Sequence, residues 1–73
     1  MNKADAIYTG RLIQEQFEKN FLSRIYINLA EAALEKGDPV LGKRLLKRQK
    51  EIDRQGDVLS NELRAFFGKK VKE

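Results

Sequence analysis

Lys36-Gly37-Asp38-Pro39, near the middle of a 73-residue chain, joins a helix stop to a helix start. Glycine supplies the left-handed conformation that closes a helix at C′ and aspartate is a favoured N-cap. Proline at the first helical position gives up an N–H that has no intrahelical partner there. Neither flank holds a break of equal strength. The pattern predicts an all-α protein, an antiparallel two-helix hairpin with helices at about 3–36 and 39–67, forming a single domain.

In the second helix, Leu41, Leu45, Ile52, Leu59, Leu63, Phe66 and Phe67 fall within one arc, and their phase is kept across Gly56. That continuity favours one helix. The alternative is three helices with a second break at Gly56-Asp57, where Gly56-Asp57-Val58-Leu59 echoes the central turn. A single internal glycine costs a helix only about 1 kcal/mol. Gly68 reads as the helix end, leaving 69–73 as a frayed basic tail. Gly42, Gln49 and Gly56 form a seven-residue series at the edge of the arc. Small residues there either admit another helix closely or merely mark the helix start and the second turn.

The first helix shows two apolar faces. Ile7, Phe21, Leu22, Ile25, Tyr26, Leu29, Ala32 and Ala33 share one arc, which reads as the face toward helix two, with Glu15 and Glu18 intruding on its N-terminal half. A second, narrower stripe runs at seven-residue spacing through Ile13, Asn20, Ile27 and Leu34, with the small residues Ser23 and Ala30 beside it. A monomeric hairpin uses one face only. Ile13, Asn20, Ile27, Ala30 and Leu34 are therefore the candidate self-association residues, with Asn20 as a polar residue able to fix register. Chains this short bury only about 60% of their unfolded surface, and here no cysteine or metal-ligand cluster compensates. A homodimer forming a four-helix bundle is the first expectation.

Charge is placed unevenly. The net charge is +4, yet residues 1–36 carry five basic and five acidic side chains. The excess lies in 39–56, where Lys43, Arg44, Lys47, Arg48, Lys50 and Arg54 outnumber Glu51 and Asp53. Lys43, Lys47, Lys50 and Arg54 step by four, three and four residues and line one helix face, with Arg44 and Arg48 flanking. Such a ladder is a candidate partner-binding face that could follow a phosphate backbone. No aromatic lies among the cations to stack on bases, and no helix-turn-helix pattern presents a recognition helix. An acidic protein surface or an ordinary solvated face fits the same residues.

Composition points away from catalysis. Without histidine or cysteine, the commonest general bases, thiol nucleophiles and transition-metal ligands are missing. Glu15 with Glu18 and Glu31 with Glu35 are spaced as helical acidic pairs, but no Glu-x-x-His accompanies them. No catalytic, cofactor-binding or metal-binding residue is assigned. No apolar run approaches the roughly 20 residues of a membrane span, and no secretory signal stands at the start. A cytoplasmic protein without membrane partners is expected.

Two family resemblances bear on function. Tyr26 to Asp53 resembles one tetratricopeptide-type helix pair: Asn28-Leu29-Ala30, Ala32, Gly37-Asp38, Gly42, Leu45-Leu46 and Glu51-Ile52-Asp53 fall at the spacing of that repeat. Gln49 stands in place of its third small residue and Arg54 in place of its closing proline. The resemblance covers under half of the chain and implies protein binding by packed helices. Leu59-Ser60-Asn61-Glu62-Leu63 is similar to the LSQELD signature of small two-helix phosphatases acting on response regulators, but Arg64 replaces the aspartate that family needs. The reading is thus a non-enzymatic protein-interaction or regulatory module that self-associates. A nucleic-acid-binding helical dimer is second, and a regulator of phosphorylated signalling proteins third.

Overall fold

In the computed structural model two α-helices, α1 (Lys3–Glu35) and α2 (Pro39–Lys72), pack antiparallel as a hairpin. The structure describes residues 2–72, with side chains through Lys70. The result is a rod 55 × 17 × 11 Å, as expected for helices of about 50 Å each.

The turn is built from local hydrogen bonds. Gly37 has φ 81°, and its N–H donates to the Leu34 carbonyl while the Asp38 N–H reaches back to Ala33 at 2.9 Å. This is a Schellman closure, which satisfies carbonyls that the helix end would otherwise leave open. The Asp38 carboxylate then accepts the Leu41 N–H at 3.1 Å and starts α2. At the other end of α1, Asn2 and Asp5 form a reciprocal capping box.

Gly56 does not break α2, which settles the choice between two helices and three. The helix also passes Gly68, where the sequence pattern places its end, and continues to Lys72. The reason lies in tertiary contacts. Lys70 Nζ sits 3.3 Å from the Asp5 carboxylate and 5.7 Å from the centre of the Phe66 ring, so the extra turn is held against the start of α1. Glu73 lies outside the described residues.

The seam follows a three-four spacing on both helices. From α1 it takes Thr9, Leu12, Gln16, Lys19, Ser23, Tyr26, Ala30 and Ala33, and from α2 Gly42, Leu45, Gln49, Ile52, Gly56, Leu59, Leu63 and Phe66, all buried or half-buried. Helix two thus turns inward most of the arc its periodicity marks, although Leu41 and Phe67 stay 43% and 36% exposed. Gly42, Gln49 and Gly56 are all buried beneath α1, so the small-residue series serves close approach within the chain. At the open end, Phe66 packs on Tyr8 with ring centres 5.2 Å apart, and Phe67 meets Phe66 edge-on.

Helix one is rotated from the orientation its apolar residues suggest. Apart from Tyr26 and Ala33 the arc does not face α2: Phe21 is 66% exposed, Leu29 50% and Ile7 56%. In its place stand smaller and polar residues. Ala30 packs beside Gly42, Ser23 meets Gln49 and Asp53, and Asn20 and Lys19 lie next to Gly56. Two physical causes select this rotation. Small residues facing small residues bring the backbones together, and the Ser23, Gln49 and Asp53 groups satisfy one another only across this seam.

Candidate interaction site

The rotation decides which surfaces are left to act. Helix α2 covers part of the stripe expected to self-associate. Ala30 is 0% exposed under α2 and Ile27 is half-buried at the edge of the seam. Leu34 is partly exposed, but its side chain lies over Gly42. Ile13 and Asn20 remain open to solvent on the flank. The small residues beside the stripe are the ones α2 needs for close approach.

What α1 presents outward is the bulky arc. Phe17, Phe21 and Ile25 are exposed on the side of α1 away from Ser23 and Ala30, and Leu22 and Leu29 are exposed on the adjoining flank. Phe17, Asn20, Phe21 and Arg24 border a shallow hollow. A second hollow lies where Leu29, Ala32, Ala33 and Lys36 meet Leu41 and Leu45, so the apolar surface extends from α1 across the flank onto α2 near the turn. The hairpin seam is correspondingly thin. Leu12, Ala30, Ala33 and Ile52 are its only buried apolar residues apart from glycine among the described residues, and no large side chain is fully enclosed. Most of the large apolar side chains of α1 are outside.

The cations form the opposite edge of the molecule. Lys43, Lys47, Lys50 and Arg54 are exposed on the side of α2 away from the seam, and Arg44 and Arg48 flank them. Arg48 is engaged by Glu51 at 3.1 Å, with both side chains more than half exposed, a pair worth only a few tenths of a kcal/mol. The ladder and the apolar face of α1 therefore point in opposite directions. A flat membrane surface cannot meet both at once.

The acidic pairs are solvated. Glu15, Glu18, Glu31 and Glu35 are exposed, and no cluster of three or more potential metal ligands forms among the described residues. Ser60 is half-buried, whereas Ser23 is the buried serine and is held by Gln49 and Asp53. No helix among the described residues is long and apolar enough to cross a membrane. The sequence pattern marks the basic ladder and most of the apolar arc but assigns the arc to the inside, and it leaves out Phe17, the most exposed residue of the outer face. The signal that locates it correctly is the seven-residue alignment of Thr9, Gln16, Ser23 and Ala30 with the turn glycine Gly37.

No known protein family, curated protein or solved structure matches this chain.

Proposed function

We propose that this chain is a small, non-enzymatic protein-interaction module that works through the outer face of α1 and self-associates there. The observation carrying this reading is the exposure of Phe17 and Phe21, at 71% and 66%, beside the exposed Ile25, with Leu22 and Leu29 exposed on the adjoining flank. Contiguous apolar patches of this kind mark interaction sites, because leaving them in water forfeits about 25 cal/mol for every Å². The thin seam supports the same reading, since a partner supplies burial that the hairpin lacks. A regulatory role follows if occupancy of that face controls what else the hairpin can bind.

Sedimentation over a range of concentrations, with Phe21→Asp alongside, tests the reading. The unmodified chain is expected to gain mass with concentration while the variant stays a helical monomer. A folded monomer at tens of micromolar for the unmodified chain overturns self-association.

A second reading, nucleic-acid binding along α2, is favoured by the solvent-facing alignment of Lys43, Lys47, Lys50 and Arg54. Binding of duplex or single-stranded DNA that weakens steeply with salt, and disappears when those four residues are changed to glutamate, is its expected signature. Absence of binding at low salt removes it.

A further inference from the structure

We propose that the occupant of the outer face of α1 is a second copy of this chain, bound antiparallel about a two-fold axis at the level of Ile27. The inference rests on the reading of that face as a self-association surface, and adds the direction and register in which two copies meet.

Area comes first. At ordinary side-chain sizes the exposed parts of Phe17, Phe21, Leu22, Ile25 and Leu29 amount to on the order of 500 Å². A standard interface takes about 800 Å² from each partner, and the stems of neighbouring charged residues make up the difference. A two-fold axis lets this single patch supply both halves of the interface.

Charge supplies the direction. Residues 1–36 are electrically neutral, and the basic excess of α2 lies on the far side of each hairpin, so the two copies meet without net repulsion. An antiparallel two-fold keeps each flank against its own counterpart. With the axis at Ile27, Ile25 comes level with Leu29 of the second copy. Within the apolar arc Glu18 comes level with Lys36, and on the flank beside Phe17 Arg24 comes within one residue of Glu31, each pair occurring twice by symmetry. All four side chains are exposed, and none forms an ion pair within the hairpin among the described residues. Shifting the register by one heptad toward the N-terminus sets Lys36 against Arg11. Parallel pairing sets the charged flank of Arg24 and Glu31 against Leu22 and Leu29. Of these arrangements, the antiparallel register at Ile27 gives both Glu18 and the Arg24 flank complementary partners.

The chain contains no cysteine, so single introduced thiols report the geometry directly. Asn28→Cys lies near the axis and is expected to give a disulfide-linked dimer under mild oxidation. Gln14→Cys lies on the same stripe, but in this register its two copies stand about 40 Å apart, and it is expected to stay uncrosslinked. Arg24→Glu and Glu31→Arg are each expected to weaken association roughly three- to tenfold, with the double variant restoring it. Cross-linking at both positions indicates a parallel pair and overturns the proposal. A dimer that cross-links at neither overturns it while leaving the interaction reading intact, and a chain that remains monomeric overturns both.

Discussion

Ser23 on α1 donates its hydroxyl proton to Asp53 on α2 at 2.9 Å. Gln49 closes the arrangement, with its side-chain amide donating to the Ser23 oxygen and to the second Asp53 oxygen, both at 3.0 Å. Both amide protons of Gln49 and both carboxylate oxygens of Asp53 are thereby used. These groups lie 26 to 30 residues apart in sequence across the seam, so they meet in only one rotation and one register of the helices. Ser23→Ala is expected to lower stability by about 1–2 kcal/mol, because it leaves Gln49 short of a buried partner. Urea denaturation of Ser23→Ala, Asp53→Ala and the double variant checks this. Strictly additive effects would show that the two residues do not act as one unit.

Alanine at different glycines is expected to act with opposite sign. Gly37 holds φ 81°, where an L side chain costs about 1–2 kcal/mol, so Gly37→Ala destabilises. At Gly10 and Gly68 an added Cβ meets nothing within 4 Å, and alanine there is expected to stabilise by about 0.5–1 kcal/mol through helix propensity. Thermal melts of the three single variants decide the matter. A stabilised Gly37→Ala contradicts the turn geometry.

Gly42 and Leu34 are expected to be coupled. A Cβ at position 42 would stand 2.7 Å from the nearest methyl of Leu34, so that side chain must swing outward to admit Gly42→Ala. With Leu34→Ala in place the clash disappears and only the helix-propensity gain of about 1 kcal/mol remains. A double-mutant cycle should show coupling of about 0.5 kcal/mol or more. Zero coupling would mean that Leu34 does not cover Gly42.

The open end of the hairpin depends on a clasp. Tyr8 and Phe66 pack as tilted rings with centres 5.2 Å apart while Asp5 holds Lys70. Tyr8→Ala and Phe66→Ala are expected to be coupled by about 0.5–1.5 kcal/mol, and Asp5→Ala to increase amide exchange in the last turn of α2. Unchanged exchange there would detach the helix extension beyond Gly68 from this contact.

Both helices, their antiparallel direction and the solvent-facing cations could be read without the structure, because each rests on local patterns. The orientation of α1 could not. A wheel weighted by hydrophobicity ranks Phe21, Leu22 and Ile25 above Thr9, Ser23 and Ala30, and so places the wrong set inside. It does not register that Gly42 and Gly56 reward small partners, nor that buried Gln49 requires a polar one.

The hairpin follows from local sequence, since Gly37, Asp38 and Pro39 close one helix and open the next through bonds spanning five residues or fewer. Which side of α1 is covered follows from tertiary contacts: α2 lies neither over most of the bulky arc nor over Ile13 and Asn20 but over the small and polar set from Thr9 to Ala33. That choice depends on side-chain shape and on hydrogen bonds between residues distant in the chain, and it places the bulky face outside, where a partner can reach it.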